Sequence, residues 1–311
     1  MYLTSFSIIE PDEKYYLYYP GWLNVWEAHL YKTALKATAA QGWGFKRFGV
    51  RDDIYIREAI RKPACKNYTD AMELVAENAL QGLSTKERMR LMRARTAFFY
   101  ADSWGDTGSF EHLPSSLQLM AIDMLPKNLV RKFAANDFTC KIRGERQAFM
   151  QALSMAQDYL HWQVFDYVVI CCAWRAIPAL VLSDAQSTKR PARPDGRINL
   201  SVERVGCFIF GRSESGMRVA SGRYVIPDGE VQEVGHNPLH DDGIDLFTLA
   251  DAGAAVVEER SVNLVDTYGG SGCLTPALGW AYLGQRGLTG GKMRTLASDI
   301  GGGYNYFDTW Y

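Results

Sequence analysis

Histidine is scarce in this chain, five in 311 residues, and none stands in an H-E-x-x-H arrangement, which excludes the helix-borne zinc site of that protease class. The six cysteines, Cys65, Cys140, Cys171, Cys172, Cys207 and Cys273, share no repeated short spacing, so neither a zinc ribbon nor a disulfide framework is written into them. They read as free thiols of a reducing, cytoplasmic compartment. An excess of one charge is also missing: 34 Lys and Arg stand against 35 Asp and Glu. A coat protein built to neutralise many phosphates is therefore not expected.

The first ten residues have no basic start, no full apolar stretch and no small-residue cleavage site, so no secretory signal is expected. The longest apolar run, 164–182, is interrupted by Asp166, Arg175 and Pro178, and no membrane span is expected from it. Phosphate cradles are lacking as well. Gly284-Gln-Arg-Gly287 and Gly290-Gly-Lys292 miss the P-loop spacing. The serines of 211–216 and 269–273 miss the glycine-flanked nucleophile elbow, and Cys273, a lone glycine-flanked cysteine, would need a distant histidine to act as a nucleophile. No cofactor and no catalytic residue is assigned.

What is present is a change of texture near residue 187, where the basic, proline-containing segment 187–200 follows a helix-patterned part and precedes a glycine-rich, strand-patterned one. The expectation is an α+β protein, with a helical N-terminal part (1–186) packed on an antiparallel β C-terminal part (201–311). Helices are predicted over 22–41, from Thr69 to Gly82, from the capping box Ser84-Thr-Lys-Glu87 to about Ala101, over 116–125, from Pro126 to about Ala135, and from Glu145 to about Trp174. Strands are predicted over 198–202, 205–210, 217–226 and 231–234, the last two joined by the Pro227-Asp-Gly229 turn. A further strand is predicted over 261–267, and a short helix from Thr275 to about Gly284. No repeat of 20 to 50 residues is found.

Three clusters carry candidate chemistry. His236, His240, Asp241, Asp242 and Asp245 put imidazole and carboxylate in one polar loop, the donor set of a divalent metal, although Pro238 prevents both histidines from sharing a helix face. Asp102, Asp106, Glu111 and His112 gather acids beside Trp104. Lys86, Arg90 and Arg93 form one stripe on the helix after Ser84 and, with Lys189 and Arg190, mark where nucleic-acid phosphates would be met.

Aromatic residues make up 13% of the chain. Five of the eight residues 304–311 are aromatic (Tyr304, Tyr306, Phe307, Trp310 and Tyr311), a composition that suits burial at an interface. With no catalytic motif found, the expectation is a non-enzymatic structural or assembly subunit, such as a capsid protein of a virion, whose partners are copies of itself. The alternatives are a hydrolase using the His236–Asp245 loop and a toxin-neutralising or adaptor module.

Overall fold

The computed structural model describes residues 1–12, 16–18, 43–48, 65–103, 127–135, 138–142, 145–176, 181, 199–222, 224–225, 241–250, 260–298 and 303–311. Its centre is a ten-stranded mixed sheet in the order β11-β10-β12-β13-β9-β1-β8-β6-β4-β5. The strands of one half are β1 (Tyr2–Ile9), β4 (Thr96–Ser103), β5 (Phe138–Ile142), β6 (Tyr167–Trp174) and β8 (Arg204–Gly211). Those of the other are β9 (Met217–Ser221), β10 (Leu246–Leu249), β11 (Ser261–Asn263), β12 (Lys292–Ser298) and β13 (Tyr304–Trp310). A separate sheet joins β2 (Tyr16–Tyr18), β3 (Trp43–Lys46) and β7 (Asn199–Val202).

The halves have the same topology. Counted in chain order within each half, the third strand is at the edge, followed by the second, fourth, fifth and first. The second strand is parallel to the third and fourth, and the fifth is antiparallel to both its neighbours. The first strands meet at the seam, where Tyr2 pairs with Arg218 and Leu3 with Met217.

This arrangement overturns the expected division into a helical N-terminal part and an antiparallel β C-terminal part. Parallel strands occur in both halves, and half of the large sheet lies before residue 212. The segment 145–174 shows why. It is a 3₁₀ turn (Glu145–Gln147), a helix ending at His161, and then strand β6, rather than one helix. Every residue of β6 is buried. A strand covered on both faces is continuously apolar, and in sequence it looks like a helix buried on all sides.

Likewise the helix after Ser84 stops at Arg93, and Thr96-Ala-Phe-Phe-Tyr100 opens β4. β-branched and aromatic residues fit a pleated sheet better than a helix. The capping box itself is present: the Glu87 amide donates to Ser84 Oγ at 3.3 Å, and the Ser84 amide donates to Glu87 Oε2 at 3.0 Å. The segment 261–267 becomes three residues of strand followed by a helix capped by Asn263.

The helices are α1 (Cys65–Gln81), α2 (Thr85–Arg93), α3 (Lys127–Lys132), α4 (Ala148–His161), α5 (Leu264–Tyr268) and α6 (Leu278–Arg286). Helix α6 is preceded by a 3₁₀ turn, Gly272–Ala277. The two halves share one apolar core around Trp280. Its ring lies 5.9 Å from Phe149 and 5.5 Å from Phe208 of the first half, and 5.2 Å from Phe307 of the second. The indole N–H donates to Thr309 Oγ1 at 2.9 Å, so the buried polar edge is satisfied. Residues 22–41, 116–125 and 231–234, most of the basic segment 187–200 and the Pro227-Asp-Gly229 turn lie outside the described residues.

Candidate functional site

In each half the second, third and fourth strands are parallel, so their carboxyl ends open on one side, where sheet proteins of mixed α/β build ligand sites. At that end of the first half stand Glu10 after β1, Trp174 and Arg175 at the end of β6, and Glu203 and Arg204 at the start of antiparallel β8. Arg175 Nε donates to Glu203 Oε1 at 2.9 Å, and both side chains are fully buried. Glu203 Oε2 accepts the Phe48 amide at 2.8 Å, and the Arg175 guanidinium lies 4.7 Å over the Tyr68 ring. Arg204 donates to Glu10 through Nε and Nη2, to the Tyr268 carbonyl at 2.7 Å and to Ser271 Oγ. Burial pushes the Glu10 carboxyl up, but Arg204 and then Lys46 outweigh it and hold it below the usual carboxylate range.

The helix starts are exchanged between the halves. The turn that begins the second half's helix docks on the carboxyl end of the first. There Ser271 Oγ donates to the Val202 carbonyl at 2.7 Å, Cys273 Sγ lies 3.5 Å from Cys172 Sγ, and Gly272 is pressed against the Trp174 ring. Conversely, Gln147 at the start of the first half's helix donates to the Ser298 carbonyl at the end of β12 at 2.8 Å and accepts from Asn305 Nδ2 at 2.9 Å. Arg146 precedes it, half-buried.

Chemically the two starts differ. Cys273 and Ser271 are nucleophile types, yet both are fully buried and engaged. Arg146 and Gln147 are a cation and an amide, residue types that hold a carbonyl or anionic oxygen rather than attack one, and Gln147 is itself clasped by Ser298 and Asn305. Sequence inspection missed this site because its partners are far apart: Gln147 and Ser298 are separated by 151 positions, Arg204 and Glu10 by 194.

The sequence-derived candidates fall elsewhere. Asp241 meets Arg294 at 3.3 Å and accepts the Gly243 amide, Asp242 is exposed 3.9 Å from Arg260, and Asp245 accepts the Lys292 amide at 2.7 Å. His236 and His240 lie outside the described residues, as do Lys189 and Arg190. Among the described residues no cluster of three or more metal-ligating side chains occurs. Of the acidic loop, Asp106, Glu111 and His112 are outside the described residues. Lys86, Arg90 and Arg93 are exposed on α2, at the opposite end of the sheet.

Tyr304–Trp310 forms β13, paired on one side with β12 and on the other with β9. Phe307 is fully buried there, Tyr304 and Tyr306 are half-buried, and Trp310 lies between the Arg218 and Lys292 cations. Tyr311 accepts, through its backbone carbonyl, the amides of Gly290 and Gly291.

No protein-family model matches the chain, and no curated protein does. Solved structures do. A variant of OleA from Xanthomonas campestris bound with cerulenin is similar at a TM-score of 0.59 and 10% identity, over 100% of this chain and 96% of that one. The 3-oxoacyl-(acyl carrier protein) synthase III of Aquifex aeolicus VF5 gives 0.51 and 12%, over 100% and 99%. The corresponding enzyme of Pseudomonas aeruginosa PAO1 gives 0.54 and 11%, over 100% and 98%.

The fold is therefore thiolase-like, the fold of OleA and the synthase III enzymes. This overturns the expectation of a structural, capsid or virion assembly subunit and the functional alternatives attached to it. The aromatic excess that suggested assembly is in part core: Trp280, Phe149, Phe208 and Phe307 join the two halves. No helix among the described residues is long and apolar enough to cross a membrane.

Proposed function

We propose that this chain binds acyl thioesters at the carboxyl end of its sheet, and that its reaction class is the condensation of acyl chains. The observation that carries this reading is the full-length likeness to synthases that make 3-oxoacyl chains, together with an OleA variant bound with lauric acid and lauroyl-CoA. Arg146 is the group assigned to meet the polar end of the ligand, with Gln147 held beside it by Ser298 and Asn305. Cys140, Cys171, Cys172, Cys207 and Cys273 form no disulfide, which suits action in a reducing cytoplasm.

A second reading, non-covalent holding of the acyl thioester, is favoured by one feature. The first half's helix begins with Glu145-Arg146-Gln147 rather than a nucleophile, while the thiol at the other helix start is sealed in the core. Titration with lauroyl-CoA, with free coenzyme A as control, tests the common claim. Intact-mass detection of a lauroyl adduct and of 3-oxoacyl product separates the two readings. Absence of saturable lauroyl-CoA binding together with absence of product would overturn both.

A further inference from the structure

We propose that helix α2 and the adjoining turn 162–166 form a docking face for an acidic, amphipathic helix of a partner protein. The helix is fastened to the core through Leu91, which is fully buried, and its capping box fixes its first turn. The outward face carries Met89 and Met92, 52% and 48% exposed, among Lys86, Arg88, Arg90 and Arg93. None of these four cations makes an ion pair with a described residue. Thr85, Lys86, Met89, Arg90, Arg93 and Ala94 line a shallow groove along it.

The turn continues this surface. Arg95 donates to the Gln163 carbonyl at 3.0 Å, and its backbone amide donates to Asp166 Oδ2 at 3.3 Å, which ties the turn to the end of α2. Beside that tie Trp162 is 66% and Val164 40% exposed. The acids of this surface are already engaged: Glu87 by the cap, Asp166 by Arg95 and Arg212. A net positive rim around flexible methionines and one aromatic anchor is the complement of carboxylates flanking an apolar helix face. Phosphate backbones use the cations but give the apolar side chains nothing to bury against, so a protein helix is the better match. The face lies at the amino ends of β4 and β6, away from the carboxyl-end site, and the inference does not rest on the function proposed for that site.

The test is fluorescence anisotropy with three labelled probes: a synthetic glutamate–leucine amphipathic helix, a scrambled peptide of the same composition, and a DNA duplex. The amphipathic peptide should bind, more weakly as salt rises. Its affinity should fall about tenfold or more in the triple variant Lys86→Gln, Arg90→Gln, Arg93→Gln and in the pair Met89→Ser, Met92→Ser. The scrambled peptide should bind much more weakly. The variants change only exposed residues, and unaltered thermal melting will show that they fold. Equal binding of the scrambled peptide, tighter binding of the duplex insensitive to the methionine pair, or no peptide binding would each overturn the proposal.

Discussion

The sulfurs of Cys172 and Cys273 lie 3.5 Å apart, one in β6 and the other in the turn that opens α6. Neither half of the molecule contains both, so the pair marks where the halves grip each other. Closing to a bonded distance of about 2.05 Å needs only a small shift. Treatment of the folded protein with diamide should therefore remove two thiols and two hydrogens, with peptide mapping assigning the link, and Cys273→Ser should abolish it. The closed loop spans about 100 residues, and the stabilisation should reach about 4.7 kcal/mol less whatever strain the link imposes. Recovery of both thiols unreacted would show that the surrounding core does not yield.

Glu203→Gln should destabilise the protein by about 3–5 kcal/mol, because it leaves the buried Arg175 guanidinium without its carboxylate. Urea denaturation measures this directly. A loss under 1 kcal/mol would mean that the arginine finds water or another acceptor.

Gly272 has a φ of +49°, and a Cβ there would stand 2.1 Å from Trp174 Cδ1. Gly272→Ala should cost more than about 2 kcal/mol, since both the backbone conformation and the contact with a rigid ring oppose it. Gly284→Ala has open space around it and no positive φ, and it should be neutral or slightly stabilising. Comparing the two melting curves checks whether the helix start is as tightly seated as the geometry demands.

Those glycines also show what the sequence could and could not disclose. The capping box at Ser84 and the strand at Val205–Phe210 were legible because each is fixed by residues a few positions apart. β6 was read as helix because burial on both faces erases the period of two. The topology shared by the two halves was invisible for a different reason. The halves share strand order and direction, but one helix start reads Glu-Arg-Gln and the other Gly-Cys-Leu, and topology leaves no repeated residue pattern behind. The cross-docking of Gln147 on Ser298 and of Ser271 on Arg204 depends on long-range closure that spacing alone does not encode.

The Glu10 carboxylate is held below its ordinary range by Arg204 and Lys46 in the fold, whereas in the unfolded chain it titrates at about 4.3. Its contribution to stability is therefore fully present above that unfolded value and is lost as pH falls through the lower folded one. Replacing Glu10 by Gln should lower stability at neutral pH and flatten this acid limb. Denaturation midpoints measured from neutral pH into the acid range, for both forms, will show whether the curves converge.

Arg146→Ala should weaken lauroyl-CoA binding about tenfold, as expected when a cation facing a polar ligand end is removed. Arg146→Lys should restore part of it. Calorimetry on both variants, with melting curves as the control for folding, decides the role. Unchanged affinity in the alanine variant would remove Arg146 from the ligand site.

The exchanged helix starts give a single chain the symmetry of a two-fold dimer. A five-strand unit whose helix begins on the surface of its twin is what a two-fold dimer of one unit becomes when a single chain joins both copies. In such a dimer the two starts are bound to be identical, and any change is suffered twice. In a single chain they need not match, and here one is an amide clasped by Ser298 and Asn305 while the other is a thiol sealed against Cys172. One chain thus carries two separately adjustable helix starts where a dimer of identical units would carry one feature twice.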